Sequence, residues 1–375
     1  MDLKTHWDAI VVGAGPAGTV AARQLALQGK QVLLIEKARI PRDKVCGGCL
    51  GGAALEALKS IGLGDLPLRC GGAPLSTFAL ASEGAVVHIP VGRRIAISRR
   101  TFDEALVREA ARAGVVVRDQ TRAEFSAPSG DFATVSLLSG SKRITARSKV
   151  LIVATGLGNL PPGFAQHCAN DSRIGLGALV SQAPCEGTCN TLYMAVTESG
   201  YVGIAEVEDG YFDIAAAVDP RALAAAGAPG RLIHHILKTS GIEPTLNVQD
   251  VRWSGTPRLT RSASPLASHR CMLIGDAAGY VEPFTGEGIG WAIQSAILAT
   301  SLLAGGLDWW DPALPRRWHC VHDKALANRM RRCSAVSRAF RLRPVRRIIA
   351  RGLHWAPSLA RPIVTGLDQP FAIPR

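Results

Sequence analysis

An apolar strand that runs straight into a glycine triplet leaves a chain few folds to choose from. Here Asp8-Ala-Ile-Val-Val reaches Gly13-Ala-Gly15-Pro16-Ala17-Gly18, a G-x-G-x-x-G, and a helix-period stretch through Leu27 then leads to a second apolar strand over 31–35. Strand, glycine turn, helix and strand in that order make a βαβ unit, whose first helix opens with bare backbone N–H groups and suits a pyrophosphate. The second strand ends in Glu36, at about the spacing past Gly18 expected of the acid that takes a ribose hydroxyl. These residues predict a dinucleotide site in an α/β domain.

A second stretch, 271–290, repeats the logic near three quarters of the way along. The apolar run 272–274 reads as a short buried strand, and it stops at Gly275-Asp276, so a carboxylate stands at a strand's C-terminal end, where open α/β sheets bind ligands. Pro283, Gly286, Gly288 and Gly290 follow, and a helix-period segment is expected from Trp291. A glycine-rich turn here delivers another set of free amides to a helix start, which favours an electron-rich ligand atom.

Taken in order, Gly13-x-Gly15-x-x-Gly18 with Glu36, Arg99-x-x-Phe-Asp-x-x-Leu106, the strand Val150-Leu-Ile-Val-Ala-Thr-Gly156, and Gly275-Asp276 with Pro283-x-x-Gly286-x-Gly288 resemble the motifs of FAD-dependent oxidoreductases of the geranylgeranyl reductase and aromatic hydroxylase (group A flavin monooxygenase-like) type. Cys46-Gly47-Gly48 is similar to the cysteine-glycine segment of geranylgeranyl reductases in particular. The resemblance implies an α/β fold: a discontinuous, Rossmann-type FAD-binding domain of glutathione-reductase-like form, a smaller antiparallel-sheet substrate domain and a helical C-terminal segment. It implies FAD as cofactor, with Gly13, Gly15, Pro16, Ala17 and Gly18 at the pyrophosphate and Glu36, next to Lys37, on the adenosine ribose. Arg99 would lie near the pyrophosphate and flavin, and Asp276 on the ribityl chain. Pro283 and the amides of Gly286, Gly288 and Ile289 would face the ring, and Cys46, Gly47 and Gly48 would lie against it.

On this reading the FAD-binding domain takes 1–75, 99–165 and 252–315, the substrate domain 76–98 and 166–251, and a basic helical segment 316–375. Within them helices are expected over 50–61 and 101–113, the latter with Asp103 and Glu104 in its first turn, and strands over 85–90, 94–98, 115–117, 134–138 and 144–153. An antiparallel set over 191–196, 201–207 and 211–218 should roof a substrate cavity. The chain is 47% hydrophobic and 19% charged, a globular balance that excludes a disordered protein. No basic and then apolar leader precedes Asp8, and nine cysteines fit free thiols in a reducing compartment, so the expected location is cytoplasmic. The uncharged run 289–307 is long enough to cross a bilayer, but its place directly after the glycine turn makes it a core helix on a sheet.

The catalytic residues are less specified. Aromatic hydroxylases tend to carry Asp-Gly after the strand occupied here by 150–153, and this chain has Ala154-Thr155-Gly156; the lysine and tryptophan motif of flavin halogenases has no convincing match. Cys46-Gly-Gly-Cys49 admits three readings: a zinc site with Cys185 and Cys189, a redox disulfide beside the flavin, or a single thiol, Cys46, as positioner or proton donor. The last is favoured. No metal is expected, because the cysteine pairs are far apart and carry no supporting ligand pattern. A disulfide reductase would need a second nucleotide fingerprint, and neither Gly156-Leu-Gly158 nor Gly175-Leu-Gly177 supplies the third glycine. Tyr201 is the other candidate acid. The reading is therefore an FAD enzyme acting on a small, largely apolar organic substrate, by C=C reduction of the geranylgeranyl reductase kind. Two alternatives stay open: hydroxylation of an aromatic, polyketide or lipid substrate, and electron transfer to a partner protein. The reductant is transiently bound NAD(P)H or a protein electron donor.

The net charge of +13 is concentrated late in the chain, where 316–351 holds twelve Lys or Arg against the single acid Asp323. Helical spacing puts Val345, Ile348, Ile349 and Leu353 on one face and Arg346, Arg347 and Arg351 elsewhere. A solvated face is the first reading and a peripheral membrane contact the second. Nucleic acid ranks last, because no aromatic interleaving accompanies the charge.

Overall fold

The computed structural model describes residues 5–126, 130–307 and 310–355. Its first layer is a mostly parallel sheet in the spatial order Ala267–Ser268, Cys271–Leu273, Lys142–Val153, His6–Val12, Val32–Ile35 and Val116–Arg118. The strands of its centre pair in parallel: Val12 lies level with Ile35 on one side and Val153 on the other, and Val153 with Leu273. Four strand ends are thus aligned on one edge, and all four are apolar and fully enclosed, as a sheet covered on both faces requires. Arg122–Phe125 and Ala133–Ser139 extend Lys142–Val153 as an antiparallel arm.

Helix Pro16–Leu27 packs on this sheet and against Gly288–Leu303 and Arg99–Arg112. Gly288–Leu303 answers the hydropathy question raised by 289–307. Trp291, Ile293, Gln294, Ser295, Ala296 and Ala299 are all buried, so it is a core helix with apolar residues on every side; among the described residues no helix is long and apolar enough to cross a membrane. Enclosing side chains such as Trp291 and Ile293 contributes roughly 1.5–3 kcal/mol each. The helix starts at Gly288, three residues before the expected Trp291, because Glu287 ends the turn and glycines tolerate helical dihedrals. Arg99–Arg112 also starts early. The Ser98 hydroxyl accepts the Thr101 amide at 3.2 Å and fixes the start at Arg99, so Asp103 and Glu104 fall beyond the first turn where they were expected.

The second layer is an eight-stranded sheet, ordered Ser254–Arg258, Ile174–Val180, Phe212–Val218, Gly200–Glu206, Thr191–Thr197, Ala73–Ser82, Ala85–Ala96 and Cys49–Leu50. The strands expected over 191–196, 201–207 and 211–218 are present, and Ala85–Ala96 is one long strand where two were expected. Three pieces placed by sequence in the first layer, 49–50, 73–75 and 254–258, pair here instead. Backbone pairing decides this, as Leu50 lies opposite Ile95 and Gly177 opposite Ser254. Thr191–Thr197 runs parallel to Ala73–Ser82, and the rest are antiparallel. Strand alternation gives the sheet two apolar faces. Ala79, Ala81, Ala195, Val202, Ile204 and Ile214 pack with Leu232, Ile233, Ile236 and Leu237 of helix Pro229–Ser240, an element the sequence reading left out. The opposite face looks back at the first layer.

Candidate functional site

The space between the two layers is a cavity of about 550 Å³. Its roof is the alternate set of side chains from the second sheet: Phe78 and Leu80, Ile89 and Val91, Leu192 and Met194, Tyr201 and Gly203, Ala215 and Ala217. Tyr201 lies opposite Ala217 and Gly203 opposite Ala215, so small residues leave room beside the one large polar ring. The floor is two helix starts, Gly15, Pro16 and Ala17 at one end and Gly286, Gly288 and Ile289 at the other, with Asp276, Pro283 and Cys46, Gly47 and Gly48 beside them.

Each helix start is built to meet a ligand. Gly15 caps Pro16–Leu27 with no side-chain hydrogen bond, and no acid occupies its first turn, so its amides are left for an outside acceptor. The turn is tight because a Cβ on Gly18 would lie 1.9 Å from the Gly13 carbonyl oxygen. The Arg99 guanidinium hangs over this start, with Nη2 at 3.6 Å from where a Gly15 Cβ would project. Arg99 donates twice to Asp103, from Nε to Oδ1 at 2.8 Å and from Nη2 to Oδ2 at 2.8 Å. Arg42 bridges Asp103 at 3.1 Å to Glu36 at 3.1 Å. Glu36 ends its strand as expected and also accepts the amides of Ala14 and Ala38, each at 3.0 Å, leaving part of its lone-pair capacity for a ribose hydroxyl. At the far end the Gly275 amide donates to the Ser295 hydroxyl at 2.9 Å, which ties the Asp276 turn to Gly288–Leu303.

These features fit FAD: one uncapped helix start with a fixed guanidinium for the diphosphate, a held carboxylate for the ribose, a second uncapped start with Asp276, and a broad apolar space between. Lys37 is exposed and, like Glu36, off the cavity lining. Gly13, Gly18 and Glu36 shape the fold around the cavity without lining it.

Of the two candidate acids, both line the cavity. Burial pushes the Cys46 thiol above its ordinary pKa, while Arg99 and a hydrogen bond from the Gly48 backbone pull the other way. Gly48 makes this possible with φ +57, where a Cβ would lie 2.4 Å from the Ile97 carbonyl oxygen. Cys49 sits on the short strand Cys49–Leu50 and is buried, and both cysteines are free thiols. Cys185 belongs to the other face of the second sheet, away from the Cys46 loop. Tyr201 is raised by burial and then by Glu282, and its hydroxyl is buried with no hydrogen-bond partner among the described residues. Its ring meets Phe284 edge-on at 5.0 Å and lies under Arg173 at 5.6 Å.

Sequence reasoning missed Lys44, Tyr280, Arg42 and Asp103. Lys44 and Tyr280 line the cavity. Burial and Arg99 lower the Lys44 ammonium, against the pull of Asp276, and a Cβ on Gly156 would lie 3.0 Å from its Nζ. Tyr280 is raised by burial, then by Asp276, Cys46 and Tyr201, so it lies within electrostatic reach of both candidate acids. Lys44 had a signal in its spacing two residues before Cys46; Tyr280, four residues after Asp276, had none beyond that nearness.

The two uncapped helix starts under one apolar roof define a flavoprotein. Residues 6–159 match the FAD binding domain family. Three curated relatives are similar over most of this chain. Conditioned medium factor receptor 1 of Dictyostelium discoideum is 24% identical over 80% of this chain and 64% of its own length, so the match spans less than two thirds of that protein. Digeranylgeranylglycerophospholipid reductase of Methanosarcina acetivorans is 28% identical over 76% of this chain and 72% of its own. Menaquinone reductase of Mycolicibacterium smegmatis is 28% identical over 84% and 80%. Among solved structures, p-nitrophenol 4-monooxygenase PnpA from Pseudomonas putida superposes with a TM-score of 0.78 over 98% of each chain at 16% identity, a likeness of fold. The FAD binding domain match and the likeness to reductases over most of the chain mark it as an FAD-dependent oxidoreductase.

Proposed function

We propose that the protein reduces a C=C bond of an apolar, isoprenoid-like substrate. The observation that carries this reading is the cavity wall. Phe78, Leu80, Ile89, Leu192 and Met194 offer a long apolar surface, and two of the polar groups that line the cavity, Cys46 and Tyr201, are neutral acids. One relative is named as a reductase of digeranylgeranylglycerophospholipid and another as a reductase of menaquinone, which supports a lipid-like substrate. Bound FAD, once reduced, supplies hydride to carbon. The protein's part is to hold the chain along the apolar roof, keep water out and give a proton to the adjacent carbon.

Cys46 is the better proton donor. Its thiolate, left after the proton moves to carbon, would face Arg99 as the largest nearby charge and the Gly48 backbone, both of which favour the anion, with Asp213 opposing. For a Tyr201 phenolate the largest nearby charge is Glu282, which disfavours it, with Cys333 on the same side and Arg173 and Arg341 opposing. Tyr201 then positions substrate with its unpartnered hydroxyl. The test is to reduce the holoprotein without oxygen and add a geranylgeranyl-bearing lipid. Oxidation by the lipid alone, with two hydrogens gained per bond in the product, supports the proposal; oxidation only by oxygen with a hydroxylated product, or only by a protein acceptor, sinks it. Cys46→Ser should keep FAD and slow this oxidation about tenfold to a hundredfold or more, in the range general acid catalysis supplies, while Cys49→Ser changes little. Equal defects in both variants would restore the redox-disulfide reading. A substrate of this kind partitions into bilayers, so where the chain meets lipid becomes part of its function.

A further inference from the structure

Helix Arg343–Trp355 closes one end of the cavity, to which Ile348, Ile349 and Gly352 contribute lining. Its inner face is fixed. Arg346 is 2% exposed, donates to the Phe340 and Arg341 carbonyls at 3.0 and 2.9 Å, and pairs with Glu83 at 3.1 Å. This corrects the sequence reading, which grouped Arg346 with Arg347 and Arg351: helical rotation turns it inward with Ile349. The side chain of Leu353, assigned to the apolar face, lies outside the described residues.

The outer face has a composition of its own. Ile348 is 71% exposed and Trp355 87%, and their seven-residue spacing puts them on one side of the helix; Leu342, just before it, is 58% exposed. Arg343, Arg347 and Arg351 recur every four residues and form a basic stripe beside them, all three exposed. Arg343 and Arg347 reach Glu83 at 3.1 and 3.3 Å, but that single carboxylate already holds Arg346, so the stripe keeps a positive excess. Exposed isoleucine and tryptophan beside arginines on an amphipathic helix match a surface that is apolar within and anionic at its rim.

We propose that the outer face of Arg343–Trp355 docks on an anionic lipid surface and sets the cavity mouth against the bilayer. Ile348 joins the two roles, because it lines the cavity and stands in solvent on the docking face. Phosphate headgroups would take the basic stripe while Ile348, Trp355 and Leu342 enter the acyl boundary, and an apolar substrate could then pass to the cavity without crossing water. The purpose assigned to this surface rests on the reading of a lipid-like substrate, but the docking can be measured without turnover.

Holoprotein of the full chain, followed by its flavin absorbance, is floated with phosphatidylcholine vesicles and with vesicles that also contain phosphatidylglycerol. Wild type should float with the anionic vesicles only, less so as salt rises. Arg347→Glu with Arg351→Glu should cut binding by more than about tenfold, and Ile348→Ser should weaken it at every salt concentration. Arg351→Glu alone, at a residue with no ion pair among the described residues, serves as the variant least able to disturb folding and should lower binding severalfold. Wild type that ignores anionic vesicles, or binding that survives the arginine reversals, overturns the proposal. Turnover of a short, detergent-dispersed olefin in a protein that binds no vesicle would leave the reductase reading standing, and vesicle binding without turnover would leave the docking surface standing.

Discussion

Asp103 never meets the cavity, yet it sets the geometry of the diphosphate end. It receives both arms of Arg99 and one of Arg42, and Arg42 passes the connection on to Glu36. Removing it leaves the buried Arg99 guanidinium without its carboxylate and Arg42 with Glu36 alone, which costs about 3–5 kcal/mol. Asp103→Ala should therefore lower the melting temperature and shed FAD on gel filtration, while Lys37→Ala, at an exposed position, changes neither; a variant that keeps full stability and flavin would show that Arg99 is held by other means. The contrast marks what the sequence could reveal. Gly13, Gly15, Gly18, Glu36 and Asp276 stand in short spacings that a nucleotide imposes on any chain that binds it. Arg42 and Asp103 are 61 positions apart and meet only because the Cys46 loop folds over the start of Arg99–Arg112, a relation no local pattern encodes.

At the scale of elements, strands with period-two apolarity were readable and their partners were not. Gly200–Glu206 and Phe212–Val218 were legible, whereas Cys49–Leu50 and Ser254–Arg258 are too short or too exposed to show a period and join their sheet through backbone pairing alone. The final helix was legible as amphipathic, but that Arg346 faces inward depends on Glu83, 263 residues earlier in the chain. Glu83 and Gly84 take φ +53 and +82 in the turn between Ala73–Ser82 and Ala85–Ala96, which presents the carboxylate to the helix. Burial works against the charge of Glu83, yet hydrogen bonds from Arg343 and Arg346 hold its pKa below the usual carboxylate value. A depressed carboxylate stabilises the folded form above its unfolded pKa of 4.5, and that contribution is lost as pH falls through the lower folded value. Hydrogen exchange over Arg343–Trp355 should thus speed up selectively below about pH 4.5, once corrected for the intrinsic pH dependence of exchange, and Glu83→Gln should speed it up already at neutral pH. Unchanged protection in Glu83→Gln would mean that packing of Ile349 alone docks the helix.

Across the whole molecule the basic excess is partly spent inside the structure. Arg329 pairs with Glu287, and Arg173 and Arg341 with Glu282, so the late cationic stretch clamps the flavin turn as well as presenting charge outside. The helix Leu314–His322 completes that clamp. Trp318 is fully buried and donates its indole N–H to the Leu273 carbonyl at 3.1 Å, at the end of the strand that leads to Asp276. His322 packs edge-on against Trp318 at 5.5 Å, and burial first, then nearby His319, lowers its pKa to about 4, with Asp323 opposing. The native protein therefore keeps this imidazole neutral at a pH where the unfolded chain, with a pKa of about 6.5, has already taken a proton. As pH falls from about 6.5 to about 4 the unfolded state binds the extra proton and stability drops, by on the order of 3 kcal/mol from this one group. Its Nε2 has no hydrogen-bond partner among the described residues, so an apolar ring in its place strands no polar neighbour there. His322→Phe should accordingly match wild type near neutrality to within about 1 kcal/mol and fall off less steeply through the window, as read by melting temperature at a series of pH values. Raised carboxyls such as Asp213 and Glu287 titrate in both proteins alike and cancel from the difference. Parallel profiles for wild type and variant would show that His322 is protonated in the folded state and that helix Leu314–His322 tolerates the charge.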